Sequence, residues 1–346
     1  MEGGSGKMEW KQALYRYVDA HNKMMAEYNA DAASESVRDS SYLDKQQVRL
    51  ERMKDQIKQR GGRSLRHETR VKLRHVKQGY GVIAAELEFR RRWIYTIAKK
   101  EYTQETRERE IVTLREFKGS WILTSVQPIQ HEGERSRQEF HVQHHSLSKD
   151  YMDATVYPSE PLLNKQINTI GTPFARTVRY DRKEAARYAD LWWDQPNPAY
   201  LTFEVDCTNY VSQCLFAGGA PMNYTGKRES GWWYSGMEGS RELWSYSWAV
   251  AHALQSYLPR GRRYLGGTEV NSAGELLPGD VICYDWDGNG RFQHNTIVTA
   301  KDKNGMPLVN AHTVSSYHRY WDYRDSYAWT KQTRYVFIHI HDNFNE

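Results

Sequence analysis

The stretch Asn197-Pro-Ala-Tyr200-Leu-Thr-Phe203-Glu-Val-Asp206-Cys207-Thr208-Asn209-Tyr210-Val211-Ser-Gln213-Cys214-Leu215-Phe-Ala-Gly218-Gly219 decides the reading of the C-terminal half. Asp206 is a good helix N-cap and Gly218-Gly219 a good stop, which predicts a helix of about three turns between them. Cys207 takes its first position. Val211, Cys214 and Leu215 follow at i+4, i+7 and i+8, so Cys207 shares the buried face. The positive end of a helix and its unpaired N–H groups stabilise a thiolate there. The same groups can hold the oxyanion of a tetrahedral intermediate. Cys214, two turns on, lacks that field and reads as a plain core residue. On spacing alone Cys207 reads equally well as a nucleophile or as a buried structural thiol.

A base has to come from elsewhere. Pro278-Gly279-Asp280 turns into a strand, Val281 to Asp285, and Asp287-Gly-Asn-Gly290 leads to a second, Phe292 to Ala300. A third, Leu308 to Thr313, completes an antiparallel meander. His294 opens the central strand, where a side chain can meet a helix N-terminus. Asn310 and His312 lie two apart and share a face, and either could hold the His294 imidazole in the right tautomer.

These residues carry a resemblance. Asp206-Cys-Thr-Asn-Tyr-Val-Ser-Gln213, the following Ala-Gly-Gly-Ala-Pro-Met222, Gly279-Asp-Val-Ile, Gly290-Arg-Phe-Gln-His294 and Ala311-His312-Thr313 resemble a bacterial amidase domain family related to the NlpC/P60 and CHAP cysteine peptidases. The likeness covers about residues 178–340. It implies an α+β, papain-like fold with Cys207 as nucleophile and His294 as base. It maps the third polar residue best to His312, with Asn310 as the alternative. Relatives often act on peptidoglycan stem peptides, so a peptide or peptidoglycan-like substrate is expected, with no cofactor.

Weaker candidates surround this core. Asn197 and Tyr200 could supply an oxyanion donor, although turn formation at Asn-Pro and core packing are the favoured reading. Trp232 and Trp233 are expected to wall the cleft. Asp285-x-Asp287-x-Asn289-Gly290 matches the first half of a calcium loop, but its twelfth position is Thr296 and a tight hairpin turn explains the composition better. No metal is therefore expected. A helix is predicted over Leu243 to Tyr257, with His252 as a packing residue, and His339 and His341 read as surface residues. Asp181 and Glu184 form a capping box.

Upstream, Trp10, Leu14, Tyr17 and Val18 mark one face of a helix. Ser40-Ser41 separates it from a second helix that ends at Gly61-Gly62. Period-two alternation then begins at Val71. Strands are predicted over Val82–Tyr95, Tyr102–Phe117 and Trp121–Val126, with turns at Gly79-Tyr80-Gly81 and Lys118-Gly119. By topology alone this resembles small cystatin-like or nuclear-transport-factor-2-like α+β domains, which says little about function. The expected division is an N-terminal domain at 1–130, a connector at 131–177 with His141, His144, His145, Pro158 and Pro161, and an amidase domain at 178–346.

Bulk properties narrow the partners. The 346 residues carry a net charge of +5. The basic run Arg63, Arg66, Arg70, Lys72, Arg74 and Arg90-Arg91-Arg92 is soon broken by acids, which favours a salt-bridged sheet face over nucleic-acid binding. Three cysteines argue against a disulfide scaffold. No signal peptide or membrane span is legible, so an intracellular or spore-associated protein is the expectation. Two rivals stand beside hydrolysis: a catalytically silent cell-wall or spore-coat binding protein, and an acyltransferase using the same dyad. The oligomeric state is not legible.

Overall fold

The computed structural model describes residues 6–129, 132–133, 177–261 and 263–345, with side chains from residue 10. The connector histidines and prolines lie outside these residues. The chain divides into two units. The first comprises residues 1–132, 302–306 and 314–329, and the second comprises 133–301, 307–313 and 330–346. Both are α+β with antiparallel strand pairing.

In the first unit, helices α1 (Gly6–Glu27) and α2 (Ser40–Gln59) precede four strands. These are β1 (Gly62–Gly79), β2 (Val82–Ile97), β3 (Lys100–Phe117) and β4 (Ser120–Pro128). Asp39 caps α2 by accepting the Tyr42 N–H at 3.0 Å. Along β2 the side chains alternate, as a half-wet sheet requires. Ile83, Ala85, Leu87, Phe89, Trp93 and Tyr95 are buried, whereas the polar face is laced by Arg74–Glu88, Arg107–Glu88, Arg90–Glu105 and Arg92–Glu105 pairs. That is the salt-bridged face the sequence suggested.

Two stretches beyond residue 178 pack with this unit. Strand β12 (Ser315–Tyr320) pairs antiparallel with β3, Ser316 opposite Thr106. A buried ionic cluster fixes it there: Arg319 donates to Asp325 at 3.0 Å and to Glu132 at 2.6 Å. Neither partner is predictable from local periodicity.

The second unit opens with β5 (Thr177–Arg179), paired with β14 (Asn343–Asn345). Helices α3 (Arg182–Trp192) and α4 (Cys207–Ala217) follow. Asp181 caps α3 through the Lys183 and Glu184 N–H groups. Glu184 does not complete the box, because its carboxylate is drawn to Arg187. Gly219, at φ +89°, ends α4, with Ala220 N–H reaching back to the Leu215 carbonyl at 3.1 Å. Gly218 is fixed by space: a Cβ there would lie 2.4 Å from the Tyr180 ring.

The expected helix over Leu243–Tyr257 is not one element. Its start is strand β7 (Arg241–Trp244), hairpinned with β6 (Tyr234–Glu238). The rest is two short helices, α5 (Tyr246–Ala249) and α6 (Ala251–Tyr257), split at Val250, whose backbone is extended. Trp244 keeps its helical spacing to Trp248 but is claimed by cross-strand pairing with Tyr234.

The sheet of this unit runs β11 (Pro307–Ala311), β10 (His294–Lys301), β9 (Val281–Asp285), β13 (Arg334–Ile340) and β8 (Gly267–Val270), all antiparallel. Its meander is the one the turn residues predicted. Val281, Cys283, Ile297 and Ile338 form a core with Tyr210, Val211, Cys214, Leu215 and Trp248.

Asp280, at the turn into β9, is wholly buried. It accepts from Arg182, from the Leu277 and Ile340 N–H groups and from His339 Nδ1 at 2.8 Å. His339 is thus a structural partner of a buried carboxylate rather than a surface residue. Its parity on the terminal strand concealed this, because the partner is 59 residues away.

Two predictions follow from these buried acids. Removing Asp280 with alanine leaves Arg182 only the exposed Asp342 as an ionic partner and takes the acceptor from the Ile340 N–H, so it should destabilise the chain by about 1.5–3 kcal/mol, read as a lowered urea midpoint. An unchanged midpoint would show that the carboxylate carries no such role. In the first unit, burial pushes Asp322 up to about 6 from 3.8, against the pull of the Arg324 backbone N–H and guanidinium and the Gln56 amide. Well below its unfolded value of 3.8 this group is protonated folded and unfolded alike. As pH rises the unfolded chain ionises first, so folding stability falls until pH exceeds the folded value. Asp322→Asn should therefore stabilise at pH 7 by about 1–3 kcal/mol and give almost no gain at about pH 2.5. Equal shifts at both pH values would refute the burial account.

Candidate functional site

Cys207 is the first residue of the 11-residue helix α4, and its side chain is 1% exposed. The expected cap is not made. Asp206 accepts no hydrogen bond from the backbone N–H groups of the helix. Its carboxylate turns back to accept the Phe203 N–H at 3.2 Å, the Asn209 amide at 2.8 Å and the His312 ring at 2.7 Å. The N-terminal N–H groups of α4 are therefore left uncapped by the residue placed to cap them.

The sulfur of Cys207 lies 3.7 Å from the Thr208 hydroxyl. Burial pushes its thiol up. The Asn295 backbone N–H and the Thr208 and Thr313 hydroxyls pull the other way, and the Asp206 charge adds to the rise. Burial wins, so the resting sulfur is a protonated thiol. Cys214 and Cys283 are also free, buried and raised by desolvation. Cys214 is the core residue its helical position suggested.

The start of β10 meets α4 through Asn295. Its amide donates to Thr208 Oγ1 at 3.1 Å and to the Ala251 carbonyl at 3.3 Å. His294, the preceding residue, is fully buried. Its ring lies 5.5 Å from that of Tyr284 and 5.9 Å from that of Trp286. Alternation along the strand thus sends Asn295 toward α4 and His294 toward these aromatic rings.

Of the two candidates for a third residue, His312 is engaged at both ring nitrogens. Nδ1 meets Asp206, and Nε2 meets the Trp192 carbonyl at 2.7 Å. The ring stacks on Tyr210 at 4.0 Å. Both of its nitrogens are thus bound to groups other than His294, and its link to the residues around Cys207 is the bond to Asp206. Asn310 donates to Asp190 at 2.9 Å and accepts from Thr299 at 3.2 Å.

The remaining candidates are held structurally. The Asn197 amide donates to the Tyr188 hydroxyl, which donates to Gln213, and its oxygen accepts the Ala199 N–H in an Asx turn. Tyr200 is buried against Tyr234 and Trp248. Trp232 and Trp233 are no more exposed than 1%. Trp232 donates to Ser212, and Trp233 donates to the Lys227 and Ser230 carbonyls. They are core residues rather than an open cleft wall, because each indole N–H has an internal partner. His252 stacks on Phe292.

The acidic turn is likewise a turn. Asp285 accepts the Gly288, Asn289 and Gly290 N–H groups, which draws its oxygens onto the backbone. Among the described residues no group of three or more His, Cys, Asp or Glu is arranged to hold a metal. No described helix is long and apolar enough to cross a membrane.

Asn209, Asn295 and Thr313 were not singled out from the sequence. Asn209 joins the Leu201 carbonyl, Asp206 and the Trp248 indole. The Asp206-x-x-Asn209 spacing was a usable signal for it. Asn295 and Thr313 each follow a histidine that drew the attention instead.

Residues 179–338 match the family described as "Putative amidase domain". The chain is 53% identical over 170 residues to the Bacillus subtilis (strain 168) protein named "Uncharacterized protein YhbB", over 49% of this chain and 53% of that protein. It therefore spans about half the length of the curated relative it matches. No solved structure matches it significantly. The family match runs from the end of β5 into β13 and takes in Cys207, His294 and His312, and its description points to amide hydrolysis as the class of chemistry of this region.

Proposed function

We propose that the second unit is a cysteine amidohydrolase of papain-like type, with Cys207 as nucleophile and His294 as base, acting on a peptide amide such as those of peptidoglycan stem peptides. The observation that carries the reading is the thiol at the first position of α4, whose backbone N–H groups the Asp206 carboxylate does not cap. An uncapped helix N-terminus favours a thiolate and an oxyanion alike. The base assignment rests on the family-like order of Cys207 and His294 in the sequence and on the Asn295 backbone N–H beside the sulfur, which brings the start of β10 to Cys207, while the His294 ring packs by Tyr284 and Trp286.

The chemistry follows from the protonated resting thiol. The base takes the S–H proton as the sulfur attacks the amide carbon, and the oxyanion accepts the N–H of Cys207. The base then gives its proton to the leaving nitrogen as the C–N bond breaks. Water, deprotonated by the same base, opens the thioester and releases the acid. Because Cys207 is 1% exposed, a substrate carbonyl reaches the sulfur only when the surrounding chain gives way. An amine in place of water would make the same site an acyltransferase.

The test is amine release from a panel of peptidoglycan stem-peptide fragments. Cys207→Ala should lower it by at least about 10³-fold, with Cys214→Ala and Cys283→Ala near wild type. Retained activity in Cys207→Ala would sink the nucleophile assignment. His294→Ala should cost a similar factor; a loss in His312→Ala alone would move the base to His312.

Iodoacetamide labelling of the resting protein gives an independent pH readout. Since burial raises Cys207, its rate should still climb above the free-thiol range near pH 8.5, while leading those of Cys214 and Cys283. A plateau below pH 7 would instead reveal a preformed thiolate–imidazole pair.

A further inference from the structure

Thr313 follows β11 in a turn, with its backbone at φ +79°. A β-branched residue in this left-handed region is a genuine outlier, and such turn positions ordinarily take glycine or asparagine. The hydroxyl gives no structural return for the strain: Oγ1 is buried and has no hydrogen-bond partner among the described residues. The 2.7 Å bond from His312 to Asp206 holds the end of β11 against the start of α4, and there Thr313 is one of the groups that favour the Cys207 thiolate, without a bond of ordinary geometry to the resting sulfur. A left-handed β-branched residue with a buried, unpartnered hydroxyl near a candidate nucleophile is where a functional role is to be sought.

We propose that Thr313 is held in its left-handed conformation so that its hydroxyl donates to the Cys207 sulfur as that sulfur becomes a thiolate. This rests on the reading of Cys207 as nucleophile. The bond is unmade while the thiol is protonated and forms when the S–H proton leaves for the base. The hydroxyl keeps its own proton throughout. An interaction made only in the charged state lowers the barrier to reaching it without tightening the resting state. Thr313 is in these terms a positioning residue.

Other groups act on the same sulfur. Asp206 opposes the negative charge, while Thr208 and the Asn295 N–H support it. From β9, Cys283 is coupled to Cys207 so that charge on either disfavours charge on the other. His294 heads the strand that supplies Asn295, and His312 is tied to Asp206. Thr208, 3.7 Å from the sulfur, also accepts from Asn295, whereas the Thr313 hydroxyl has no other bond among the described residues.

The experiment uses the full chain with Thr313→Ser, Thr313→Val and Thr313→Gly. Cys207 is titrated by thiolate ultraviolet absorbance, as the difference between each protein and its Cys207→Ala counterpart, alongside thermal melting. Val removes the hydroxyl at constant shape and should move the titration up by about one pH unit. Ser should restore it. Gly relieves the backbone and lacks the hydroxyl, so it should shift the titration as Val does while melting no lower than wild type. That split is one a purely structural residue would not produce. Wild-type titration in both Val and Gly would overturn the inference. The nucleophile reading has its own arm: if Cys207 labels with iodoacetamide no faster than Cys214 and Cys283 in the wild-type protein, that reading fails whatever the Thr313 variants show.

Discussion

Asp206 turns its carboxylate away from the backbone N–H groups of the helix that follows it, and the arrangement around Cys207 rests on that turn. A carboxylate 6% exposed is tolerable only where donors surround it. It finds them in the Phe203 N–H, the Asn209 amide and the His312 ring. Each partner is bound further out. Asn209 reaches the Leu201 carbonyl and the Trp248 indole, and His312 reaches the last turn of α3 at Trp192. One buried charge thereby joins the end of α3, the loop before α4, α4 itself and the end of β11. The same choice withholds a cap from α4 at the residue where a thiol stands.

The second unit uses acids in this way repeatedly. Asp280 gathers N–H groups and a guanidinium at the turn into β9, and Asp285 gathers three N–H groups at the turn out of it. Clustered Asp and Asn near histidines would suit a cation as well as a turn, and composition cannot separate the two. Direction can. Carboxylate oxygens that point at backbone donors are committed to the chain, which is the case for Asp280 and Asp285 alike.

Elements whose signal is local were legible in the sequence. The helix from Cys207, the meander from Val281, the strand pattern of the first unit and the salt-bridged face all follow from period, cap and turn chemistry. What was not legible depends on partners distant in the chain. Trp232 and Trp233 read as a cleft wall because aromatic residues beside glycines look exposed, but Ser212 and backbone carbonyls hold their indoles inside. Trp244 obeyed helical spacing and was taken by a hairpin. Asp206 matched a cap by position, and only the fold could supply the His312 ring that draws it away. Strand β12 carries no mark of the unit it joins, since its register is set by β3 and by Arg319.

Burial of a protonated sulfur has a consequence for the lifetime of the protein. Oxidation to sulfenic acid and beyond begins from an accessible thiolate. Cys207 offers neither access nor charge at rest, and Cys214 and Cys283 are sheltered in the same way. All three sulfurs are thus poor targets for peroxide while the fold is closed. If Cys207 is the nucleophile proposed above, whatever opens a path to its sulfur for substrate opens the same path for peroxide.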